Sequence, residues 1–298
     1  MVDSKGVVLV TGTSSGFGRL IVQTLARQGY GAFASMRETA GRNAAASAEL
    51  RALADGERLW LRVLELDVTD DAAVERAAGL VIEQAGRIDV LVNNAGFSYS
   101  GMTEAYTVGQ AQRIFDTNYF GAVRMNRAVL PHMRRQGSGL LIHVSSGAGR
   151  LVLPGSAHYC ASKFALEALA ESYRYDLAGL GIDSVIIEPG AHPTPIFAKS
   201  GRPADPARAA EYGRLAEIPE RVQGALMASQ ADPQEVANAA LELMETPFGK
   251  RPLRRVVGPG MGALQALNDH AAQLQEKLAQ MLGVAELVSP RASEPRQA

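Results

Sequence analysis

The sequence predicts an α/β fold, a doubly wound parallel sheet flanked by helices on both faces, in a single domain. Short apolar runs recur along the chain with helix-forming stretches between them, the order of repeated strand–helix–strand units. Most of these runs are apolar at successive positions, which is typical of parallel strands buried on both faces. The 298-residue chain is 47% hydrophobic and 20% charged, so it has enough apolar material for one large core.

Strands are predicted where a short apolar run is bounded by turn residues. These runs lie at 7–10, 31–35, 59–66, 90–92, 140–144, 184–187 and 255–257. The stretches between and after them favour helices at 16–28, 44–54, 70–85, 108–135, 158–180 and 263–281. Asp70 is well placed to cap the third of these helices, because a carboxylate can accept a hydrogen bond from the first turn.

The chain is expected to divide into a main domain at 1–260, a helical extension at 261–288 and a flexible tail at 289–298. Within the main domain, 195–233 loses the strand rhythm and gains prolines and charges, which indicates an insertion. Such an excursion is either a lid over a binding site or a tolerated surface insertion. The Leu and Met positions of the last helix predict a packing stripe, such as a subunit interface would use.

The charge balance argues against nucleic acid and membrane surfaces as partners. Lys and Arg number 30 against 31 Asp and Glu, a net charge of -1, so no strong field attracts polyanions. No run approaches the roughly 18 apolar residues of a membrane span, and the first residues lack the pattern of a signal sequence. The single cysteine, Cys160, fits a reducing compartment. A cytoplasmic protein that needs no metal is expected.

A glycine-rich turn follows the first predicted strand and opens the first predicted helix. Its spacing, Gly12-x-x-x-Gly16-x-Gly18, differs from the G-x-G-x-x-G fingerprint but serves the same physical end. Without side chains at the glycines, backbone N–H groups and the positive end of the helix can approach a pyrophosphate. The turn predicts a Rossmann-type nucleotide site made by Gly12, Ser14, Ser15, Gly16, Phe17 and Gly18.

The end of the second predicted strand indicates which dinucleotide is preferred. An Asp or Glu there would bond the ribose hydroxyls of NAD, but this chain has Arg37. An arginine can pair bidentately with a 2′-phosphate, so NADP(H) is expected to be preferred, with NAD(H) still possible. Glu38 would oppose the phosphate unless its carboxylate faces solvent.

Tyr159 and Lys163 stand four residues apart in a predicted helix and therefore share one face. A phenol has an ordinary pKa of about 10, and a nearby cation lowers it toward the pH at which acid–base catalysis is effective. Proton transfer beside a bound nucleotide predicts hydride chemistry.

Taken together, these motifs resemble the short-chain dehydrogenase/reductase family over roughly residues 5–260. The resemblance rests on several independent stretches in the same order along the chain. They are Thr11-Gly12-x-x-x-Gly16-x-Gly18, Asp67-Val68, Asn93-Asn94-Ala95-Gly96, Asn118, Ser146, Tyr159-x-x-x-Lys163 and Pro189-Gly190-x-x-x-Thr194. It implies that 1–260 is an NADP-binding catalytic domain.

The resemblance implies four catalytic residues. Tyr159 would give a proton to a carbonyl oxygen, or take one from a hydroxyl, while hydride passes to or from nicotinamide. Ser146 would hydrogen-bond the same oxygen, and Lys163 would lower the tyrosine pKa and hold the nicotinamide ribose. Asn118 would support a water-linked proton path to that lysine.

It also implies the remaining cofactor contacts. Asp67 resembles the carboxylate that bonds the adenine amino group, with Val68 contributing its backbone. Asn94, Ala95 and Gly96 resemble the segment on the adenosine side. Pro189, Gly190 and Thr194 resemble the loop on the nicotinamide side.

Candidate substrate contacts follow from position relative to these motifs. Phe97, Tyr99, Leu153 and His192 are expected to line a largely apolar cleft for a small carbonyl or alcohol. His192, within Ala191-His192-Pro193, is unusual in such a loop; it meets the substrate, perturbs the loop or faces solvent.

The sequence thus predicts an NADP-dependent oxidoreductase of the carbonyl reductase kind, interconverting a secondary alcohol and a ketone or aldehyde. The alternatives are a non-redox reaction, epimerisation or dehydration, on the same nucleotide cradle, and a nucleotide-binding sensor. Family members commonly assemble as homodimers or homotetramers through the helices that contain Asn118 and Tyr159, and the same is expected here. The substrate and the reaction direction are left open by the sequence.

Overall fold

The protein is described by a computed structural model covering residues 4–198 and 200–288; the expected tail at 289–298 lies outside these residues. Within them, seven strands form one parallel sheet. They are β1 Val7–Thr11, β2 Gly31–Met36, β3 Leu61–Glu65, β4 Val90–Asn93, β5 Gly139–Val144, β6 Ile182–Pro189 and β7 Arg254–Val257. The order β3-β2-β1-β4-β5-β6-β7 reverses direction at β1, so the predicted doubly wound single domain is confirmed.

Helices cover both faces of this sheet. They are α1 Gly16–Arg27, α2 Ala44–Glu57, α3 Asp71–Ala85, α4 Val108–Phe115, α5 Gly121–Gln136, α6 Ala157–Asp176, α7 Pro195–Ala198, α8 Pro206–Ala210, α9 Ile218–Met227, α10 Gln234–Glu245 and α11 Gly262–Met281. The successive apolar residues of β1 explain the two-sided core. Val8 and Val10 pack under α1, α2 and α10, whereas Val7 and Leu9 pack against α3 and α5.

The predicted helix at 108–135 is interrupted. α4 ends at Phe115, and a π-helical turn, Asp116–Phe120, joins it to α5. A π-helical turn holds one residue more than an α-helical turn. This turn carries the buried Asn118, and the hydrogen bonds of its side chain to neighbouring elements explain why the helix widens here. The helix predicted at 158–180 likewise ends earlier, at Asp176.

Asp70 caps α3 as predicted, since its carboxylate accepts a hydrogen bond from Ala73 N at 2.9 Å. No helix among the described residues is long and apolar enough to cross a membrane.

The excursion at 195–233 folds as α7, α8 and α9 with a 3₁₀ turn between the last two. It lies along the loop that follows β4. Ser100 N donates to Gly201 O at 3.1 Å and Gly201 N to Ser98 O at 3.0 Å, a short strand-like bridge. The excursion is therefore attached to the edge of the sheet where the predicted site residues gather.

Candidate active site

The turn between β1 and α1 has the backbone that its glycines predict. Gly12 and Gly16 have φ of 72° and 59°, which favour glycine. A Cβ on Gly12 would lie 2.8 Å from Ala95 Cα, so this turn packs directly on the chain after β4. Ser15 stands at the N-cap of α1, and within the described residues its side chain makes no capping bond. The leading N–H groups of α1 are thus left for another acceptor.

Asn94 holds this turn in place. Its Nδ2 donates to Thr11 O at 2.8 Å and to Gly12 O at 3.2 Å. In return Thr11 Oγ1 accepts from Asn94 N at 3.0 Å and from Ala95 N at 2.9 Å. The amide of Asn94 therefore braces β1 against β4 and shapes the turn from behind.

Arg37 and Asp67 face each other at the ends of β2 and β3. Arg37 Nη1 lies 3.6 Å from Asp67 Oδ2, and both side chains are partly exposed. Partial burial would raise the pKa of Asp67, but hydrogen bonds from Thr69 and the charge of Arg37 hold it below its usual value. Glu38 turns its carboxylate to Arg42, at 3.2 Å, which answers the concern that it would oppose a phosphate beside Arg37.

Tyr159 and Lys163 lie on α6, and Ser146 follows the end of β5. The Ser146 side chain is hydrogen-bonded to the Tyr159 phenol, and Ser146 Oγ also accepts from Ala148 N at 3.1 Å. Lys163 Nζ donates to Val144 O at 2.8 Å and lies 6.0 Å from the centroid of the Tyr159 ring. The structure therefore brings these three predicted residues together around one phenol.

The expected lowering of the tyrosine pKa is wrong for this structure. Burial raises the pKa of Tyr159 to about 12, although the bond to Ser146 opposes the rise. Lys163 does not offset burial because its ammonium is directed to Val144 O. Burial also lowers the pKa of Lys163 to about 8, against the charge of Glu167. At neutral pH the phenol is protonated and can act as a proton donor.

Asn118 fastens the π-helical turn to its surroundings. Its Nδ2 donates to Phe97 O and to Ser162 Oγ, both at 3.0 Å, and its Oδ1 accepts from Phe97 N at 3.0 Å. A Cβ on Gly96 would lie 3.1 Å from the same Oδ1. Val68 packs on the other side of this turn, since a Cβ on Gly121 would lie 2.7 Å from Val68 Cγ2. Asn118 is thus a clamp between the loop after β4 and α6.

A narrow cleft, partly open to solvent, lies beside Tyr159. Its walls are formed by the loop after β4, by the segment that precedes α6, and by α9. Its lining residues are Ser98, Tyr99, Ser100, Leu153, Ser156, Tyr159, Ser200, Pro219, Val222, Gln223 and Leu226. Among these described residues none carries a charge, so the cleft suits an uncharged molecule with an apolar body.

Comparison with known proteins gives the family. The sequence model of the short chain dehydrogenase family matches residues 6–205. The chain belongs to the short-chain dehydrogenase family. It is 34% identical over 265 residues to an uncharacterized oxidoreductase of Bacillus subtilis (strain 168), YusZ, covering 87% of this chain and 91% of that one. It is 36% identical over 249 residues to the mouse (Mus musculus) 17-beta-hydroxysteroid dehydrogenase type 1, covering 81% and 71%.

Solved structures of similar proteins share the fold. One from Streptomyces avermitilis superposes with a TM-score of 0.74 at 31% identity, covering 94% of this chain and 97% of that one. An actinorhodin polyketide ketoreductase variant, solved with NADPH, has a TM-score of 0.70 at 26% identity, covering 88% and 98%.

In this short-chain dehydrogenase the loop after β6 faces the glycine turn. Gly190 N donates to Val257 O at 2.8 Å, which ties the loop to β7. A Cβ on Gly16 would be 3.8 Å from both Thr194 Cβ and Pro195 Cδ. The turn and the loop that begins at Pro189 therefore flank one narrow gap at the carboxyl ends of β1 and β6.

Two of the four predicted substrate contacts, Tyr99 and Leu153, line the cleft. Phe97 packs against Tyr99, with the two ring centroids 5.2 Å apart. His192 neither lines the cleft nor faces solvent, so both expectations for it are corrected. The side chain of His192 is buried within the loop after β6, to which the residue belongs. Its Nδ1 donates to Gly190 O at 3.0 Å, and its ring packs edge-on against Phe17, with the ring centroids 5.4 Å apart.

The excursion expected to be a lid or a surface insertion does reach the cleft, through Pro219 and Leu226, although periodicity did not single out these two positions. Other residues near the site were missed. A buried charge cluster of Glu167, Glu188 and Arg254 lies under α6. Glu167 could have been found from the sequence, since it stands four residues after Lys163 and so shares its helix face.

Proposed function

We propose that the protein is an NADP-dependent oxidoreductase that interconverts a secondary alcohol and a ketone or aldehyde, with Tyr159 as the general acid and base. The observation that carries the proposal is the protonated, buried phenol of Tyr159, hydrogen-bonded to Ser146 at the edge of an uncharged cleft. A neutral donor beside an apolar cleft suits protonation of an oxygen that gains negative charge.

The residues around the carboxyl end of the sheet fit a dinucleotide. The uncapped start of α1 and the positive-φ glycines Gly12 and Gly16 offer N–H groups to a pyrophosphate. Ser14, Ser15, Phe17 and Gly18 complete that turn. On the adenosine side we assign Arg37, Asp67, Val68, Asn94, Ala95 and Gly96, and on the nicotinamide side Lys163, Pro189, Gly190 and Thr194.

When bound, NADPH would supply the hydride; the chain's own groups manage the oxygen and its proton. Ser146 would hydrogen-bond the carbonyl oxygen and hold it in line with the phenol, and Tyr159 Oη would release its proton to that oxygen. The positive charge of Lys163 would then stabilise the phenolate left behind, which burial alone disfavours. Asn118 would keep the turn under the site in place through Phe97 and Ser162.

Preference for NADP(H) is proposed from Arg37. Its guanidinium is half exposed and its ion pair with Asp67 is long, at 3.6 Å, so it is free to turn to a 2′-phosphate. Glu38 is engaged by Arg42 and does not compete. NAD(H) would still fit the remaining contacts.

The substrate class is proposed from the cleft. Its apolar walls and uncharged serines suit a bulky neutral ketone or alcohol, and the similarity to a 17-beta-hydroxysteroid dehydrogenase supports this direction. The excursion at 195–233 would serve as a lid over it, within a catalytic domain at 1–260 followed by a helical extension. We also expect a cytoplasmic homodimer or homotetramer that pairs through the helical segments that contain Asn118 and Tyr159.

The test is NADPH absorbance with purified protein across ketones, aldehydes, keto esters, steroids and quinones. Tyr159→Phe should lower turnover by about a thousandfold or more while leaving the Kd for NADPH within a fewfold. Retained turnover in that variant would refute the role of Tyr159. Conversion of substrate without consumption of NADPH would favour epimerisation or dehydration, and NADPH binding without any turnover would favour a sensor.

A further inference from the structure

A buried charge cluster lies directly under the catalytic helix. Glu167 on α6 is 2% exposed and Glu188 on β6 is 0% exposed. Arg254 on β7 contacts both: its Nε lies 2.9 Å from Glu167 Oε2 and 3.3 Å from Glu188 Oε1. Asn268 of α11 donates to Glu188 Oε2 at 2.5 Å. One guanidinium therefore faces two carboxylates away from water. Burying these charged groups costs desolvation free energy that their mutual attraction need not return, so the cluster invites a functional explanation.

Glu167 lies between Lys163 and the segment that carries Ser146. It stands one helical turn beyond Lys163, on the same face of α6. Its Oε1 and the Ser145 hydroxyl both flank Gly149, where a Cβ would be 3.2 Å from the first and 2.7 Å from the second. Both atoms are buried and lack a hydrogen-bond partner among the described residues. Burial raises the pKa of Glu167, whereas Arg254 and the neighbouring Ser145 hydroxyl favour its ionised form. Ser145 is the immediate neighbour of Ser146.

We propose that Glu167 is a positioning residue for this site: it holds the segment carrying Ser146 against α6, and its carboxylate keeps the buried Lys163 in its charged form. The inference rests on the proposed function of Lys163 and Ser146. It extends that function to a group that touches neither substrate nor cofactor.

The charges around Glu167 support the electrostatic part. Burial lowers the pKa of Lys163 to about 8, and the Glu167 charge is what opposes this. Burial raises the pKa of both carboxyl groups, that of Glu188 to about 8 with the charge of Glu167 adding to the rise. Arg254 Nε lies closer to Glu167, at 2.9 Å against 3.3 Å for Glu188, so Glu188 is the group that holds a proton at neutral pH and Glu167 is the one kept ionised. The charged groups that face Glu167 are Lys163 and Glu171 from α6, Arg150 from the loop after β5, Glu188 from β6 and Arg254 from β7.

The experiment compares Glu167→Gln with a matched control, Glu171→Gln. Glu171 Oε2 accepts from the same Arg254 at 2.7 Å, but its side chain is 23% exposed and one turn further from Lys163. NADPH binding by fluorescence and kcat/KM would be followed from pH 6 to pH 10 in the full chain. In E167Q the alkaline loss of NADPH binding should move to lower pH by about one unit, which weakens binding about fivefold at pH 8 but little at pH 6.5. The E171Q profile should match that of the wild type.

Ser145→Ala separates positioning from charge. It removes the contact with Glu167 but leaves the carboxylate paired with Arg254 at 2.9 Å, which keeps it ionised, so kcat should fall by about threefold or more with an unchanged alkaline limb. Superimposed profiles for E167Q and E171Q would overturn the electrostatic claim, and an unchanged kcat in S145A would overturn the positioning claim. The S145A result also stands if E167Q proves too unstable to purify. NADPH binding is measured without turnover, so failure of the proposed chemistry would show separately, as activity that does not depend on Tyr159.

Discussion

Lys163 Nζ donates a hydrogen bond to the Val144 carbonyl oxygen at 2.8 Å, and the ammonium so held lies 6.0 Å from the centroid of the Tyr159 ring. The same lysine is fully enclosed, so its charge depends on one carbonyl and on the field of Glu167. Burial explains why the pKa values of Lys163 and Tyr159 shift in opposite directions, because it favours the neutral form of each group.

The first prediction concerns stability against pH. The pKa of Lys163 is about 8 in the fold and 10.5 for an ordinary lysine. Below pH 8 the folded and unfolded chains both hold this proton, so the cost of burying the charge is fully present. Between these values only the unfolded chain holds it, and the lysine's contribution to the free energy of unfolding therefore rises with pH.

Lys163→Met removes this dependence. The stability of the wild type minus that of K163M should rise between pH 7 and pH 9.5 by roughly 1–2 kcal/mol, measured by denaturant unfolding at each pH. Lys277→Met, at an exposed lysine of α11, serves as the control and should show a constant difference. A difference for K163M that stays flat with pH would contradict the burial of a charged lysine.

The second prediction concerns the choice of dinucleotide. Arg37→Ala should lower kcat/KM with NADPH by about tenfold or more and change that with NADH by less than about twofold, because only NADPH carries the 2′-phosphate. Arg27→Ala is the matched control, since Arg27 is an exposed arginine that pairs with Glu57 at 2.7 Å at the end of α1 away from the glycine turn. Equal losses with both cofactors in R37A would instead assign Arg37 to holding Asp67.

The third prediction concerns the glycine turn. Gly12→Ala places a Cβ 2.8 Å from Ala95 Cα at a φ of 72°, so the turn must shift or strain. The Kd for NADPH should rise by about tenfold or more, with a loss of roughly 1–3 kcal/mol in the free energy of unfolding. Gly79→Ala, within α3 and with nothing within 4 Å of its Cβ, should stabilise by about 0.5–1 kcal/mol and leave binding unchanged. Tight NADPH binding by G12A would show that the turn is not part of the cradle.

Local sequence patterns predicted those features of the fold that depend mainly on neighbouring residues. The central strands were found because they are buried on both faces, and the glycine turn because Gly12 and Gly16 need positive φ. Contacts between distant segments decided the rest. The pKa of Tyr159 depends on burial within the folded chain, and the π-helical turn at Asn118 depends on bonds to Phe97 and Ser162. The burial of His192 against Phe17 also results from contact between distant segments, and no local sequence motif predicts it.

The fourth prediction concerns the wall that α9 contributes to the cleft. Leu226 lines the same cleft as Tyr159, whereas the next residue, Met227, is 49% exposed. Leu226→Trp should fill the space that a bulky ketone needs and lower its kcat/KM by about tenfold, while a small ketone is reduced almost as before. Met227→Trp adds the same ring beyond the cleft and should leave both substrates unaffected. If the two variants discriminate between ketones equally, α9 does not shape the substrate pocket. If L226W alone loses the bulky ketones, the excursion at 195–233 takes part in selecting the substrate, because the only change lies in a side chain that faces the cleft.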